Sequence, residues 1–499
     1  MTVDVIEGKP GPAIFGRSEP MKSSFYNLYV PLESDHYVIY NTLRDAIVVV
    51  DSGTKTLLDN SDFQSLDDCC ISELQRVGMI VKETVDEKAI AEYLIWKIKY
   101  GTGVMNFYVL PTDACNLRCP YCYGGAGEIS SLSMSEETVD KTVEFITKTV
   151  EKHCTSYLSL TLIGGEPLLN KRACYRIIED LSEWVKPRNI SFVPNLITNA
   201  TLLTEEIVDD LLIGFDYSSV LLTLDGNREL HNKKRFYKKD GSGTYDKIME
   251  VLQMLMDKSE VSKLARVHIA KDNINSLKEL FEDLKSLGIP NTQKKAYMEI
   301  VPVEPETPAC RSYSEMCLND QELISVLSGL WKTLWDMEIE YSVRPQRCIV
   351  PCRLCEYSGY VINPKGDIFK CMKLTNEEEH KIFSVHNEGV FEPEYEFYDL
   401  LRRNPLNFDK CSNCVLLPLC GGGCPAQAYY KYGTYHQGDC NYPPVLYNSM
   451  LKHYLQHEYA EKFREFCYLG DMVKQCTPSC SCNEPEAAGP IGKEDSGSG

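Results

Sequence analysis

Apolar and polar residues along the middle of the chain repeat with two alternating periods. Short β-rich runs, in which apolar residues alternate or follow one another, are separated by longer stretches whose apolar residues recur at helical spacing. The predicted strands are residues 106–110, 157–163, 191–198, 219–224, 266–270 and 297–302. Strands that alternate with helices in this way predict an α/β fold, in which crossover helices connect the strands of a parallel sheet.

The longer stretch after the first of these strands shows the helical pattern most clearly. Ser133 and Glu136 have the spacing of a capping box, which satisfies the free N–H groups at the start of a helix. The apolar stripe behind them consists of Val139, Val143, Ile146 and Val150. This pattern predicts a helix that begins near Ser133 and packs one face against the sheet.

The first 95 residues have a different order, in which strands come first and helices follow. The predicted strands are 26–30, 36–41 and 46–51, and the predicted helices are 65–77 and 87–100. Gly78 is the kind of residue that ends a helix, and it follows the first predicted helix directly. This order predicts a small winged-helix-like module over residues 1–95.

Composition and charge narrow the functional classes. The chain has 499 residues, 43% of them hydrophobic, which is enough for several domains. It contains no apolar run long enough for a membrane span and no signal peptide, so we expect a cytoplasmic protein with no membrane partner. Cytosolic thiols stay reduced, and its 22 cysteines therefore indicate metal ligation rather than disulfides. A net charge of −20 disfavours nucleic acid and would suit a basic peptide.

Three cysteines stand in one short run directly after the first predicted strand of the α/β segment. Cys115, Cys119 and Cys122 have the spacing C-x3-C-x2-C, with Tyr121 before the last one. Three thiolates at this spacing can hold three irons of a cubane cluster and leave the fourth iron open to a substrate or cofactor. A zinc site would want a fourth Cys or His close by, and none follows at finger spacing.

A second cysteine array lies between residues 340 and 445. Its members are Cys348, Cys352, Cys355, Cys371, Cys411, Cys414, Cys420, Cys424 and Cys440. The short, repeated spacings again indicate metal ligation, either by iron–sulfur clusters or by a pair of zinc knuckles.

Together the two arrays resemble the radical S-adenosylmethionine (radical SAM) enzymes that carry a C-terminal SPASM extension. The resemblance covers nearly all of residues 104–440 and implies a partial (β/α)6 TIM barrel at 104–320 and a SPASM domain at 340–445. Residues 446–499 are expected to form a helix and a disordered tail with Cys476, Cys480 and Cys482. The implied cofactors are SAM and three 4Fe-4S clusters, one that binds SAM and two auxiliary ones. An electron from the first cluster cleaves SAM, and the resulting 5′-deoxyadenosyl radical removes a hydrogen atom from the substrate.

The resemblance also implies which residues contact SAM, at the carboxyl ends of the strands. The implied contacts are Tyr123, Gly164, Gly165, Glu166, Pro167, Asn199, Thr223, Asp225 and Arg266. Two glycines permit close approach of the backbone, and Glu166 can accept hydrogen bonds from the ammonium group of SAM. Residues that carry out the substrate chemistry itself are not assigned.

The same family pattern divides the second array between two clusters. One cluster takes Cys411, Cys414, Cys420 and Cys440. The other takes Cys371, Cys424 and either one or two of Cys348, Cys352 and Cys355. With two of these three the cluster is closed, whereas with one it has an open iron that could bind a substrate thiolate.

The implied function is that of a maturase that modifies a ribosomally made peptide or a protein, by thioether formation or another side-chain cross-link. The N-terminal module loosely resembles leader-peptide recognition modules, which bind a peptide as an added strand; a structural cap is the alternative. A second possibility is an anaerobic sulfatase-maturing enzyme, which makes formylglycine. That family has an Asp after the G-x4-C cysteine, where this chain has Met372. A third possibility is a non-catalytic metal-binding scaffold. The expected partners are the peptide and an electron donor such as flavodoxin or ferredoxin.

Overall fold

The computed structural model describes residues 3–462, apart from residues 10–14, 17, 33–34, 126–127, 259, 305–306, 389–390 and 441. In that part of the chain, no helix is both long enough and apolar enough to cross a bilayer. The tail cysteines Cys476, Cys480 and Cys482 lie outside the described residues.

The N-terminal segment forms one antiparallel sheet with helices on it, and a small two-stranded ribbon. Its elements are β1 (Val3–Glu7), β2 (Met21–Ser23), β3 (Asn27–Pro31), β4 (His36–Asn41), β5 (Ala46–Asp51), α1 (Ser52–Asp59), α2 (Asp68–Arg76), β6 (Ile80–Lys82) and α3 (Glu87–Lys99). The sheet has the order β1-β5-β4-β3, and β2 pairs with β6. The three predicted strands and two predicted helices are present. The sequence reading missed β1, β2, β6 and α1, and the comparison with a winged helix stays a prediction.

Aspartates start all three helices of this segment. Asp51, Asp67 and Asp86 each accept a hydrogen bond from the backbone N–H three residues further on. This is the usual way in which a short polar side chain satisfies the free N–H groups of a first helical turn. The cap at Asp67 also explains why α2 begins three residues later than the sequence pattern indicated.

The central segment alternates strands and helices, as the hydrophobic pattern predicted. Its elements are β7 (Val104–Val109), α4 (Glu136–Lys152), β8 (Tyr157–Leu162), α5 (Lys171–Val185), β9 (Ser191–Ile197), α6 (Glu205–Ile207), β10 (Ser219–Leu224), α7 (Arg228–Lys234), α8 (Tyr245–Lys258), β11 (Ser262–Ile269), α9 (Leu277–Ser286) and β12 (Ala296–Pro302). A π-helical turn, Val208–Ile213, continues α6. All six predicted strands are present and parallel to their neighbours in this segment.

The C-terminal segment continues the same sheet. Its elements are α10 (Asp320–Asp336), β13 (Gly359–Ile362), β14 (Asp367–Phe369), β15 (Phe383–Ser384), α11 (Tyr395–Leu401), α12 (Leu417–Cys420), α13 (Pro425–Tyr432) and α14 (Pro444–Glu458). Among the described residues, the largest sheet has nine strands in the order β12-β11-β10-β9-β8-β7-β13-β14-β15. β13 lies parallel to β7, so the second cysteine array begins beside the strand that leads into the first. Closure of the sheet into a partial barrel, and the domain boundaries, stay predictions.

The expected capping box of α4 is wrong by two residues. The N-cap is Ser135, whose hydroxyl accepts from the Thr138 N–H at 3.1 Å. Ser133 instead lies 2.8 Å from the Thr112 hydroxyl, and it bridges the end of β7 to the chain before α4. The apolar stripe of α4 is present, since Val139, Ile146 and Val150 are buried.

Candidate active site

The loop after β7 brings the three cysteines of the first array together. Its backbone is held from outside, because Leu117 bridges Tyr237 and the Lys238 N–H donates to Asn116 at 2.9 Å. Burial and the neighbouring thiols of Cys122 and Cys115 raise the pKa of Cys119 to about 12. The three half-buried cysteines thus lie close together, and they are the donor set that a cubane cluster with one open iron requires.

The Gly164–Gly165 turn after β8 packs directly on this loop. A Cβ atom at Gly164 would lie 2.3 Å from the Thr112 carbonyl oxygen, and one at Gly165 would lie 2.2 Å from that of Ala114. The backbones are also bonded, since the Gly165 N–H donates to Thr112 at 3.1 Å and the Glu166 N–H to Ala114 at 2.8 Å. In this structure the glycines are needed for close approach to the cysteine loop. Their contact with SAM stays a prediction.

Glu166 is fully buried and connects the ends of β8 and β9. Its carboxylate accepts from the Thr198 hydroxyl at 2.8 Å, the Asn199 N–H at 2.7 Å and the Leu168 N–H at 3.1 Å. Burial raises the pKa of Glu166 to about 6, although the three donors lower it. Its carboxylate thus stabilises the turn with Pro167; binding of the SAM ammonium group by Glu166 stays a prediction.

Asn199 reaches from the end of β9 to the first cysteine. Its amide nitrogen lies 3.8 Å from the Cys115 sulfur and 2.8 Å from the Asn116 side-chain oxygen. An amide donor beside a thiolate stabilises the negative charge that the thiolate carries as an iron ligand.

A charged network that the sequence reading missed lies behind the loop. The Tyr121 hydroxyl donates to the buried Asp225 carboxylate and accepts from Arg235 at 3.0 Å. His268 lies 3.3 Å from the other Asp225 oxygen. The Arg235 Nε is buried and has no hydrogen-bond partner among the described residues, and its guanidinium lowers the pKa of Cys119. A buried cation that faces the thiols of Cys115 and Cys119 fits an anionic cluster. In the sequence, the position of Tyr121 between Cys119 and Cys122 was the feature that could have indicated this network.

Two of the predicted SAM contacts have partners within the sheet. Arg266 forms an ion pair with Glu299 across β11 and β12. Thr223 lies beside Arg266 in the register of β10 and β11 and is nearly buried. The structure therefore places both residues on neighbouring strands, while their contact with SAM stays a prediction.

Tyr123 connects the first array to the second. Its hydroxyl donates to the Met372 sulfur at 3.4 Å, and its carbonyl accepts from the Thr307 hydroxyl at 2.9 Å. Met372 follows Cys371 in the chain, so the loop of the first array and the edge of the second array are in direct contact.

Four cysteines of the second array converge next to Met372. The thiol of Cys352, hydrogen-bonded to Cys355, together with burial holds the pKa of Cys355 well above its usual range. Burial raises the pKa of Cys371 to about 12, and the thiols of Cys352 and Cys424 raise it further. We call Cys352, Cys355, Cys371 and Cys424 the first auxiliary group.

Cys348 stands apart from this group. Its thiol donates to the Val350 carbonyl at 3.4 Å, and Cys352 is the thiol that influences its pKa. That Cys352 and Cys355, rather than Cys348, join the group as ligands stays a prediction. A closed cluster with four cysteine ligands fits this arrangement.

The other four cysteines form a second auxiliary group, which consists of Cys411, Cys414, Cys420 and Cys440. The distal Cys440 is brought in by backbone contact, because Gly423 bridges Asp439. A Cβ atom at Gly423 would lie 1.5 Å from the Asp439 carbonyl oxygen, and its φ is +77°. Only glycine allows both the close approach and this conformation.

Comparison with known proteins agrees with this geometry. The model of the Radical SAM superfamily matches residues 109–284, which include the first array. The chain is 25% identical over 346 residues to a cysteine-type anaerobic sulfatase-maturating enzyme of Clostridium novyi, which covers 62% of this chain and 84% of that protein. It is 21% identical over 463 residues to the radical SAM cyclopropyl synthase TigE of Paramaledivibacter caminithermalis, over 86% and 90% of the two chains.

Solved structures share the fold. The structure of anSMEcpe with bound AdoMet and the Kp18Cys peptide matches with a TM-score of 0.54 at 15% identity, over 73% of this chain and 99% of that one. Streptococcus suis SuiB bound to the precursor peptide SuiA matches with a TM-score of 0.51 at 12% identity, over 84% and 100%. The family match and the curated relatives indicate an enzyme rather than a non-catalytic scaffold. Residues 109–284 thus carry the match to the Radical SAM superfamily, and along most of its length the chain is similar to radical SAM maturases of the sulfatase-maturating and TigE kinds.

Proposed function

We propose that the chain uses SAM and three 4Fe-4S clusters to modify a ribosomally made peptide, by forming a thioether or another side-chain cross-link. The observation that carries the proposal is the contact between Tyr123 and Met372 at 3.4 Å, which sets the SAM-binding loop against the first auxiliary group. A substrate held between the two arrays would lie within reach of both. The second auxiliary group then lies behind the first, on the route by which electrons enter or leave.

The residues around this contact have separate tasks. SAM and its cluster, when bound, supply a radical that removes a hydrogen atom from a substrate C–H bond. Cys115, Cys119 and Cys122 would hold that cluster, and Arg235 balances its charge. Leu110, Ile163, Val361 and Phe369 form a buried apolar cluster with Met372 packed against it. This apolar wall excludes water from the space where a reactive carbon must persist.

Met372 is the residue that distinguishes the two candidate reactions. The sulfatase-maturing pattern has a carboxylate here to accept a proton, and a thioether cannot do so. This favours cross-linking over formylglycine formation. Formylglycine remains the second candidate, because Glu356 faces Cys352 from the same loop and burial raises the pKa of its carboxyl to about 7.

The mass change of a cognate peptide after turnover separates the two reactions. The candidates for this peptide are small cysteine-rich reading frames encoded beside the gene. Loss of two hydrogens with every sulfur retained, together with resistance to thiol alkylation, is the expected result. Loss of the cysteine sulfur with gain of an aldehyde would establish formylglycine instead.

Assignment of the first array is tested by replacing Cys115, Cys119 and Cys122 with Ala. Iron should fall by about four from about twelve per chain, and reductive cleavage of SAM should stop. The auxiliary clusters should remain, because their cysteines come from other segments. Deoxyadenosine production by the triple variant would disprove the assignment.

The N-terminal segment is proposed to bind the peptide as an added strand on β3. β3 and β1 are the outer strands of the sheet, and β1 is interrupted by a register shift between Val5 and Glu7. Leu32 donates its N–H to His36 on the β4 side at 3.0 Å. Since successive residues of a strand alternate in direction, the Tyr29 N–H points to the open edge. On this edge the Asn27 N–H already donates to the Ser24 carbonyl at 3.4 Å and Pro31 has no N–H, so Tyr29 supplies the outward N–H to which an added strand would bond.

Substitution of Tyr29 by Pro tests whether β3 binds the peptide, and it does so without removing the N-terminal module. It deletes an outward N–H and leaves the bonds to β4, so the fold should persist. The peptide should bind more weakly by fluorescence anisotropy, while SAM cleavage without peptide is unchanged. Leu28→Pro, which breaks the β4 ladder, is the control for simple unfolding. Equal peptide affinity of Tyr29→Pro and wild type would favour the structural cap.

A further inference from the structure

Among the described residues, three buried cationic side chains beside the second cysteine array donate hydrogen bonds to backbone carbonyls. Lys99, Lys370 and Arg403 are 5%, 3% and 4% exposed. Burial of a cation is costly unless a negative charge compensates it, and carbonyl groups supply dipoles but no net charge. The compensating anions must therefore come from the groups that surround these side chains.

Arg403 lies between the two auxiliary groups. Its guanidinium donates to the carbonyls of Gly421 and Gly422 at 3.3 and 2.6 Å, and to that of Tyr435 at 2.8 Å. Gly421 and Gly422 belong to the turn that joins Cys420 of the second group to Cys424 of the first. The anionic groups that face Arg403 come from both groups; they are Cys355, Cys411, Cys424 and Cys420.

Lys99 and Lys370 approach the first auxiliary group from two other directions. Lys99, at the end of α3, donates to the carbonyls of Leu401 and of Arg403 itself at 2.6 and 2.7 Å. Lys370 precedes Cys371 and donates to the Glu356 carbonyl at 2.6 Å and to that of Gly359. The anionic groups that face Lys370 are Cys355, Glu356 and Cys352, and Cys355 also faces Lys99.

We propose that Arg403, with Lys99 and Lys370, is the fixed counter-charge of the auxiliary groups, and that Arg403 raises the reduction potential of both clusters. The inference rests on the proposed function, since it requires the clusters. Each cluster with four thiolates is anionic and gains one more negative charge on reduction. A fixed cation between two such clusters stabilises the reduced form of each. Coulomb's law, with an effective dielectric constant of about 20 and a separation of about 10 Å, gives a factor of more than ten in the reduction equilibrium.

Redox titration followed by electron paramagnetic resonance tests the proposal. The full chain with the first three cysteines replaced by Ala isolates the auxiliary signals. In that background, Arg403→Gln should lower both potentials by at least the equivalent of a tenfold change, which is about 59 mV for one electron. Arg403→Lys should lie close to the parent. Arg402→Gln is the matched control, because Arg402 is an exposed neighbour that pairs with Asp399 at 2.8 Å.

Lys99 supplies a second, independent variant. Lys99→Met should lower the potential of the first auxiliary cluster alone, and Lys97→Met on the exposed side of α3 should change neither. If the Arg403→Gln chain does not bind iron, the comparison of Lys99→Met with Lys97→Met tests the proposed counter-charge instead. The inference is overturned if the Arg403→Gln chain binds its iron and its potentials are unchanged. If Arg403→Gln does not bind iron, an unchanged potential in Lys99→Met overturns it. A parent chain, with the first three cysteines replaced, that binds no iron refutes the proposed auxiliary clusters, and the inference with them.

Discussion

Gly165 offers the sharpest test of how the cysteine loop is held. In a Gly165→Ala chain the new methyl group would lie 2.2 Å from the Ala114 carbonyl oxygen and 2.3 Å from that of Asp113. Both are backbone atoms, so no side-chain rotation relieves the contact. The Ala114 carbonyl also accepts the Glu166 N–H at 2.8 Å, and a shift large enough to fit the methyl group breaks that bond.

The expected cost is the sum of two effects. Overpacking in a well-packed region costs about 1–3 kcal/mol, and the upper end applies because the backbone must move. Loss of the hydrogen bond adds about 1 kcal/mol. A cost of about 4 kcal/mol makes opening of the Thr112–Cys115 segment about 700-fold more frequent, because each 1.4 kcal/mol is a factor of ten.

The assay is the rate at which a chelator removes iron from the loaded protein. Gly165→Ala should lose about four irons much faster than wild type, while about eight irons leave at the wild-type rate. Gly329→Ala in α10 is the control, since a Cβ atom there has no neighbour within 4 Å. Alanine at this helical position should stabilise the protein by up to about 1 kcal/mol. Equal rates of iron loss in Gly165→Ala and wild type would refute the proposed role of the turn.

Two further predictions concern a buried histidine and the division of the cysteines. His231 is buried and neutral, with Nδ1 accepting from the Asp225 N–H at 3.3 Å, and burial lowers its pKa from 6.5 to about 3. Its contribution to stability is therefore complete above pH 6.5 and is lost as pH falls; in the iron-free protein, the difference in the free energy of unfolding between wild type and His231→Gln should drop by about 2 kcal/mol by pH 5. Cys352→Ala should abolish the first auxiliary cluster, whereas Cys348→Ala should retain about twelve irons per chain.

Each of these two predictions can be contradicted by a defined result. In denaturant titrations, His231→Gln should remove the pH-dependent loss, and His386→Gln, an exposed site, should leave it. A difference in stability between wild type and His231→Gln that is flat between about pH 7 and pH 5 would contradict the account of His231. For the cysteines, iron and sulfide analysis decides; loss of about four irons from Cys348→Ala and none from Cys352→Ala would reverse the assignment.

The sequence alone determined the order of strands and helices and the kind of chemistry. Period-two and period-3.6 patterns report which residues can be buried, and that information is local, so all six central strands were placed within a few residues. Spacings such as C-x3-C-x2-C are also local, because one loop supplies all the ligands. The cap of α4 was misplaced because Ser133 and Ser135 both have suitable side chains, and contact with Thr112 selects between them.

Only the tertiary structure decided which distant groups meet. Cys348, Cys352 and Cys355 are equivalent by spacing, and in the fold Cys355 faces both Cys352 and Cys371, whereas Cys352 is the thiol that faces Cys348. Arg403 and Lys99 look like ordinary surface cations beside Arg402 and Lys97, yet the fold buries both. These outcomes depend on long-range backbone contacts, such as the bridge from Gly423 to Asp439. Burial and charge compensation at one site arise from segments far apart in the chain, and no local pattern records which of them will lie together.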